Sequence, residues 1–301
     1  MKNSKPPKIL VIIGPTATGK SELAVKLAKK YNGEVISADS RQVYKGLDIG
    51  TGKITKKEMR GIRHHMLDIV SPKKVFNVAD WKKETEKIIS DIVLQGKLPV
   101  ICGGTGFYIQ SIVDGLVLPE VPPNKILRKK LERKGSRELL NILKRLDKRR
   151  VQNIDQKNPV RLIRAIEIAR KLGAVPEINR NQNKYKILQI GLTLPSEKLR
   201  ERISTRLFAR IREGMIGEAK RLKRKGLSWK RMRELGLEYR YLAGYLQKKI
   251  SKKELLDKIE NGNFDYSKRQ MTWFKRDKKI KWFNPNKFKQ INSEIRNFLT
   301  E

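Results

Sequence analysis

Residues 14–21, which read GPTATGKS, constrain the fold more than any other stretch of this sequence. They follow an apolar run at residues 9–13 and precede a segment with apolar residues every three or four positions. This order predicts a strand, a loop and a helix. Backbone N–H groups and the helix N-terminus would bind phosphate, the lysine would neutralise charge, and the serine could hold Mg²⁺. The predicted phosphate-binding residues are Gly14, Pro15, Thr16, Ala17, Thr18, Gly19, Lys20 and Ser21, with Ser21 as the metal ligand.

Strand and helix patterns alternate around this loop. Apolar runs at residues 34–38, 98–104 and 186–194 predict three further strands, and residues 75–97 predict an amphipathic helix that Gly96 closes. Such alternation is typical of an α/β fold in which helices cover a parallel sheet. We therefore predict a P-loop NTPase-like parallel sheet flanked by helices, with a helical insert domain.

The pattern changes around Pro119, Pro122 and Pro123. Residues 121–184 are mostly helical in pattern and carry 19 Lys and Arg against 6 Asp and Glu, before a strand pattern returns at residue 186. The simplest account is one α/β core that a helical insert divides. The predicted divisions are residues 1–118 for the first part of the core, 119–185 for the insert, and 186–301 for the rest of the core and a C-terminal helical region.

The whole chain is strongly basic. Its 70 Lys and Arg exceed its 31 Asp and Glu by 39, which favours an extended polyanion such as a nucleic acid as partner. The alternative is a soluble surface that is basic without a specific partner.

Cys102 is the single cysteine, so a disulfide within the chain is excluded and a reducing cytoplasm fits. No apolar run reaches membrane length, and a soluble protein is expected.

Polar side chains follow two of the predicted strands. Asp39 comes directly after residues 34–38, and Thr105 follows the double glycine that ends residues 98–104. Because the carboxyl ends of parallel strands meet in one crevice, we expect Lys20, Asp39 and Thr105 in the same pocket. Asp39 could hold Mg²⁺ through water in an ATPase, act as a general base in a transferase, or cap a turn. Thr105 could donate to a leaving-group oxygen or cap the helix that starts there.

Three other features leave two interpretations each. Arg202, Arg206 and Arg210 recur every four residues and could follow a phosphate backbone or form a solvated helix face. Residues 266–277, YSKRQMTWFKRD, mix basic and aromatic side chains and suit RNA, or form a helix packed on the core. The adjacent pair of histidines at residues 64–65 is expected to pack or hydrogen-bond rather than bind metal.

Taken together, these motifs resemble the tRNA dimethylallyltransferases, also called tRNA isopentenyltransferases. The resemblance runs from about residue 9 to residue 283 in the family's order, and DSRQVYKGLDIGT and KRQMTWF are its most specific parts. The matching stretches are GPTATGKSELA, ISADSRQVYKGLDIGTGK, HHMLDIV, ICGGTGFYIQS, NPVRLIRAIEI, LTLPSEKLRERI and YSKRQMTWFKR.

The resemblance implies a reaction. The enzyme would transfer a dimethylallyl group to N6 of the adenosine immediately 3′ of the anticodon, in tRNAs that read codons beginning with U. The loop would hold the diphosphate of dimethylallyl diphosphate, which leaves as pyrophosphate, and ATP would not be the substrate. The implied partners are the tRNA anticodon stem-loop and dimethylallyl diphosphate, the implied cofactor is Mg²⁺, and the implied form is a cytoplasmic monomer.

The resemblance also implies roles for individual residues. Asp39 matches the carboxylate that takes the proton from the adenine amine, and Thr105 matches the residue that steadies the bridging oxygen of the diphosphate. The insert and the C-terminal region would bind tRNA. The implied tRNA-binding or phosphate-contacting residues are Asp39, Ser40, Arg41, Gln42, Thr105, Arg128, Val160, Arg161, Leu162, Ile163 and Arg164.

Two departures from the family pattern concern tRNA contacts. Arg63 stands where proline usually precedes the paired histidines, and Glu238, in LGLEYR at residues 235–240, stands where glycine is common. Three alternatives stay open at the sequence level: a small-metabolite kinase, an adenylate isopentenyltransferase, and a non-catalytic phosphate-loop protein that binds RNA. The basic surplus and the long C-terminal half favour tRNA over the first two, and the pair Asp39 and Thr105 disfavours the third.

Overall fold

The strands of the computed structural model, which describes residues 6–177 and 184–301, form one sheet in which all neighbours are parallel. At least one helix lies between each pair of consecutive strands, so the predicted α/β fold class is confirmed. The strands are β1 (Lys8–Ile13), β2 (Gly33–Ala38), β3 (His64–His65), β4 (Leu98–Gly103), β5 (Lys186–Leu192) and β6 (Lys281–Phe283), and they lie in the order β3-β2-β4-β1-β5-β6.

Helices cover both faces of this sheet and build the segment between β4 and β5. Asn77 caps the helix predicted at residues 75–97, accepting hydrogen bonds from two backbone N–H groups of its first turn. In chain order the helices are α1 (Lys20–Lys30), α2 (Lys56–Met59), α3 (Val78–Leu94), α4 (Gly106–Val113), α5 (Lys125–Leu131), α6 (Ser136–Leu146), α7 (Lys148–Gln152), α8 (Pro159–Leu172), α9 (Ser196–Arg212), α10 (Met215–Arg224), α11 (Trp229–Glu234), α12 (Leu237–Leu246), α13 (Lys252–Phe274) and α14 (Phe288–Thr300).

The central position of β1 in the sheet explains why residues 9–13 are all apolar. β1 pairs with β4 on one side and β5 on the other. Ile9 and Val11 belong to one hydrophobic core, whereas Leu10 and Ile12 belong to another. Successive side chains of a strand point to opposite faces, so a strand covered on both faces buries every residue.

The insert is a second compact unit. One unit comprises Met1–Asp114 and Asn183–Glu301, and the other comprises Gly115–Gln182. The insert has its own hydrophobic core, in which Leu139 from α6 packs with Leu162 from α8. The sequence predicted its borders at residues 119 and 185, and residues 178–183 of that span lie outside the described residues.

The two edge strands are short and were not predicted. β3 consists of the two histidines, and β6 has three residues. His65 Nε2 bonds Glu34 of β2 at 2.6 Å, and His64 Nδ1 lies 2.9 Å from the carbonyl oxygen of Ile62. The histidines therefore hydrogen-bond, as predicted. Within the described residues no helix has the length and apolar character needed to cross a membrane.

Candidate active site

The phosphate loop connects β1 to α1, and its first residue adopts a conformation that requires glycine. Gly14 follows β1 with φ at 143°, and a β-carbon there would collide with the carbonyl oxygen of Leu192 in β5. Gly19 is the N-cap of α1, and no side chain caps the helix there. The Thr18 hydroxyl closes the loop by donating to the carbonyl of Pro15 at 2.9 Å. The loop therefore leaves the positive end of α1 open to an anion.

Lys20, the first residue of α1, places its ammonium group inside this loop. The group donates to the carbonyl of Pro15. Burial lowers the pKa of Lys20 from 10.5 to about 8, and the Arg206 charge acts in the same direction, while Asp39 opposes it. A phosphate oxygen at this position would favour the charged form of the lysine.

Asp39 and Thr105 meet at the turn that follows β2. Asp39 Oδ1 accepts hydrogen bonds from the backbone N–H groups of Arg41 at 2.8 Å and Gln42 at 3.4 Å. Among the described residues its Oδ2 has no hydrogen-bond partner, so it can accept a proton. Thr105 is the N-cap residue of α4 without a capping hydrogen bond, and its Oγ1 accepts from the backbone N–H of Ser40 at 3.0 Å. Its hydroxyl hydrogen therefore remains available to a ligand.

A cavity of about 660 Å³ opens where β1, β2 and β4 end. Its lining includes Lys20 after β1, Asp39 after β2 and Gly104 after β4. Strand order thus brings the phosphate loop and the carboxylate together, as the sequence predicted. Thr105, which directly follows the lining residue Gly104, is not itself a lining residue, and its Oγ1 bonds the turn that carries Asp39. Further lining residues from the predicted set are Thr16, Ala17, Gly19, Ser21 and Gln42.

Gln270 of α13 joins the two sides of the phosphate site. Its Oε1 accepts from the backbone N–H of Thr16 at 2.9 Å, and its Nε2 donates to the carbonyl of Gly104 at 2.9 Å. A β-carbon at residue 104 would collide with this amide group, so a larger residue there would displace the Gln270 side chain from its two hydrogen bonds. Sequence reasoning assigned the surrounding segment to RNA and missed this role. The spacing of four between Tyr266, Gln270 and Phe274 was the available signal, since it marks one inward face.

Helix α9 forms one wall of the cavity. Arg202 and Arg206 both line it, together with Lys198, Glu201 and Thr205. The side chain of Arg206 is solvent-accessible but lies among the atoms of the cavity wall. Partial loss of hydration there, together with the charge of Arg210, lowers the pKa of Arg206. Two of the three arginines in the row therefore line the cavity that contains the phosphate loop.

Arg210, the third member of that row, is engaged within the protein. It donates to the carbonyl of Gly50 at 3.0 Å and lies 3.4 Å from Glu238, which also accepts from Asn263 at 3.1 Å. Only 13% of the Arg210 side chain is exposed. Neither interpretation of the arginine row, contact with a phosphate backbone or a solvated helix face, therefore holds for Arg210. The same contacts give Glu238, which replaces the glycine common in this pattern, a structural role.

A buried carboxylate holds the segment at residues 48–52, which supplies Thr51 and Gly52 to the cavity. Glu218 of α10 accepts from three consecutive backbone N–H groups, those of residues 48–50, at 2.8–2.9 Å. The Tyr239 hydroxyl donates to the same carboxylate at 2.6 Å. The carbonyl of Gly52 in turn lies 3.5 Å from the side-chain amide of Gln42. Hydrogen bonds to Glu218 and Gln42 thus hold the part of the cavity wall formed by residues 48–52.

In the insert, a predicted ligand-binding arginine is bound to a carboxylate. Arg128 donates to both oxygens of the buried Glu167 through Nε at 2.8 Å and Nη2 at 2.6 Å. Arg164 lies 3.6 Å from the same carboxylate. The Arg128 pair fixes α5 against α8, and a phosphate could reach only the remaining N–H groups of Arg128.

The other predicted residues of α8 divide between surface and core. Val160 is 74% exposed and Arg161 is exposed as well. Leu162 and Ile163 lie in the core of the insert. Their side chains have no surface for RNA, so we no longer expect side-chain contacts from these two residues.

Comparison with protein families confirms the resemblance that the motifs indicate. The family model described as IPP transferase matches residues 42–277. The chain is 37% identical over 299 residues to a tRNA dimethylallyltransferase of Halothermothrix orenii, covering 96% of this chain and 91% of the relative. It is 44% identical over 275 residues to tRNA dimethylallyltransferase 2 of Treponema denticola, covering 90% and 92%.

Solved structures of related enzymes have the same fold. The full-length tRNA isopentenylpyrophosphate transferase of Bacillus halodurans matches with a TM-score of 0.73 and 34% identity, covering 98% of this chain and 97% of that one. A eukaryotic dimethylallyltransferase acting on tRNA matches with a TM-score of 0.75 and 25% identity, covering 89% and 69%. This chain belongs to the IPP transferase family, which includes the tRNA dimethylallyltransferases.

Proposed function

We propose that this chain transfers a dimethylallyl group from dimethylallyl diphosphate to N6 of the adenosine immediately 3′ of the anticodon in tRNA. Pyrophosphate is the second product. The observation that carries the proposal is the shared cavity, in which the phosphate loop after β1 and the carboxylate of Asp39 after β2 lie on either side of the end of β4. A prenyl donor and an adenine acceptor need these two functions side by side.

The diphosphate end of the donor would occupy the phosphate loop. Backbone N–H groups at the start of α1 and the ammonium group of Lys20 supply positive potential there. Arg206 lies in the same cavity and can pair with a further phosphate oxygen. These groups stabilise the charge that develops on the leaving pyrophosphate. Thr105 would donate its free hydroxyl hydrogen to the bridging oxygen.

The residues present fit a Mg²⁺ ion shared with the donor. Ser21 is exposed to the cavity, and the carboxylate of Asp39 lines it too, so oxygen donors are available on both sides. Mg²⁺ in such sites takes one or two protein oxygens and completes its coordination with substrate phosphates and water. Ser21 would hold the ion, which when bound would neutralise charge on the leaving group.

The transfer balances without any other reactant. The bond between the allylic carbon and the bridging oxygen breaks, and its electron pair leaves with pyrophosphate. The nitrogen lone pair of N6 forms the new bond to that carbon. Asp39 Oδ2 then accepts the proton that N6 loses. Because the pocket lies below the protein surface, the target adenine has to leave the stacked anticodon loop to reach it.

The tRNA would be bound through basic surface outside the cavity. The insert supplies the exposed Arg161 and an excess of positive side chains, and residues 268–276 of the C-terminal region supply more. Contacts of this kind go mainly to phosphates and position the RNA. The segment from Asp39 to Gln42 would hold the target nucleotide, and the active form would be a cytoplasmic monomer.

One experiment tests the reaction and its nearest competitors. Purified protein is incubated with Mg²⁺, dimethylallyl diphosphate and unmodified tRNA, and the digested nucleosides are analysed by mass. We expect adenosine that carries one dimethylallyl group, and stoichiometric pyrophosphate. Parallel reactions offer AMP as acceptor or ATP as donor. Transfer to AMP with untouched tRNA would indicate an adenylate isopentenyltransferase, and robust ATP turnover without prenyl transfer would indicate a kinase or ATPase.

A further inference from the structure

Tyr266 lines the cavity but belongs neither to the phosphate loop nor to the turn that carries Asp39. It sits on α13 four residues before Gln270, which is one helical turn or about 5.4 Å. Gln270 is itself fixed between the phosphate loop and the end of β4. Tyr266 lines the same cavity as Lys20 and Asp39, and 39% of it is exposed. The ring therefore lines the cavity that contains both the phosphate loop and the carboxylate, close enough to Asp39 to feel its charge.

The lining of this cavity is otherwise poor in apolar surface. Most lining side chains are charged, hydroxylic or amide groups, and several positions are glycine. Ala17 and Cys102 are the small apolar exceptions. Among the described lining residues Tyr266 is the single aromatic one. A five-carbon allylic group that bridges the loop and the carboxylate would find its largest apolar face on this ring.

The surroundings of the Tyr266 phenol favour its uncharged form. Burial raises the pKa of Tyr266 to about 12, and the charge of Asp39 acts in the same direction. The phenol therefore stays protonated at neutral pH. Its hydroxyl makes no hydrogen bond among the described residues, although the Arg269 guanidinium lies 5.9 Å from the ring centre.

We propose that the ring of Tyr266 forms the surface on which the dimethylallyl group lies, and that its π face stabilises positive charge on the allylic carbon. The inference rests on the proposed function, because it concerns the donor of that reaction. As the carbon–oxygen bond breaks, positive charge develops on the allylic carbon before the bond to N6 is complete. An aromatic face attracts such charge. Tyr266 supplies no proton and no electron pair to a bond.

Two substitutions distinguish the contribution of the π face of Tyr266 from those of its hydroxyl group and of its apolar surface. Tyr266→Phe keeps the π face, so kcat should stay within about threefold of the wild type. Tyr266→Leu keeps apolar surface but loses the π face, so kcat should fall roughly ten- to thirtyfold while KM for tRNA stays within about twofold. Tyr245→Leu replaces a half-buried tyrosine that is not a lining residue, and it controls for the loss of an aromatic side chain.

A binding measurement tests the contact without turnover or tRNA. Calorimetry compares Mg²⁺–pyrophosphate with the unreactive analogue of dimethylallyl diphosphate in which sulfur replaces the bridging oxygen. The wild type should bind the analogue more tightly than pyrophosphate, and Tyr266→Ala should lose most of that difference while it still binds pyrophosphate. An unchanged difference in Tyr266→Ala, or a Tyr266→Leu enzyme with wild-type kcat, would overturn the inference. Absence of prenyl transfer by the wild type would instead count against the proposed function.

Discussion

The two carboxylate oxygens of Asp39 have different surroundings, and substitutions can separate their tasks. Oδ1 holds the turn through the backbone N–H of Arg41, whereas Oδ2 has no hydrogen-bond partner in the described part of the chain. Asp39→Asn keeps an oxygen for the turn but cannot accept a proton, and Asp39→Ala loses both functions. If Oδ2 is the general base, both variants should lower kcat by about 10²–10⁴-fold with little change in tRNA affinity. Single-turnover kinetics with tRNA would measure this. An Asp39→Asn enzyme within fivefold of the wild type would make Asp39 a structural residue.

Lys20 gives diphosphate binding a pH dependence of defined sign. The pKa of Lys20 is about 8 in the free protein, because burial disfavours its charge. A bound diphosphate favours the charged form, so binding above pH 8 has to take up a proton, whereas below pH 8 the lysine already carries it. Once the titration of pyrophosphate itself is subtracted, the affinity for Mg²⁺–pyrophosphate should therefore be flat below pH 8 and fall by up to about tenfold per pH unit above it.

Calorimetry between pH 7 and pH 9.5 measures this fall, and Lys20→Met is the control. The variant should bind more weakly at neutral pH and show only the titration of pyrophosphate itself. Equal slopes for the wild type and Lys20→Met would mean that the lysine does not titrate in this range.

Among the structural elements, helices α9 and α13 contribute functional side chains to the cavity at the ends of the strands. Leu199 and Ile203 of α9 pack into the interior while Arg206 faces the cavity. On α13, Tyr266 and Gln270 face the cavity while Ile259 packs in the core. Each helix therefore uses one face for stability and the adjacent face for the site, as a repeat of three to four residues allows.

The segment at residues 48–52 depends on Glu218 of α10. Glu218→Gln offers one acceptor oxygen and an NH₂ group to partners that all donate, so some of them lose their hydrogen bonds. We expect a loss of about 1–3 kcal/mol in the free energy of unfolding. Because Thr51 and Gly52 line the cavity, KM for tRNA should rise about tenfold, which corresponds to about 1.4 kcal/mol.

Glu34 provides the matched control for this substitution. It is also buried, but it accepts from His65 and Lys97 at the far end of β2 from Asp39. Glu34→Gln should lower the melting temperature and leave KM and kcat unchanged. If Glu218→Gln behaves in the same way in both thermal unfolding and steady-state kinetics, its carboxylate stabilises the fold without shaping the site.

For the molecule as a whole, the net charge of +39 should dominate tRNA affinity. Neutralised phosphates release counterions, so log affinity should fall linearly with log salt concentration. Arg161→Ala removes an exposed cation of the insert and should reduce that slope by about one. Lys29→Ala removes an exposed cation at the C-terminal end of α1, the end opposite the phosphate loop, and should leave the slope unchanged. Filter binding across a salt series measures both, and equal slopes for the two variants would remove Arg161 from the tRNA surface.

Local patterns in the sequence determined the fold class and the centre of the site. The phosphate loop is readable because its glycine positions and the following lysine meet local backbone and charge requirements within eight residues. Asp39 is readable because strand ends of a parallel sheet converge wherever the helices lie. Family membership followed from motifs in a fixed order along the chain.

Only the tertiary structure decided which side chains complete the cavity. Gln270 bonds a residue 254 positions earlier, and Glu218 bonds a segment about 170 positions earlier. Periodicity shows which face of a helix is buried but not which distant backbone it meets. For the same reason the sequence could not show that Arg206 lines the cavity that contains the phosphate loop while Arg210, one turn later, pairs with Glu238. Such partners are set by how helices pack, and packing depends on the whole chain at once.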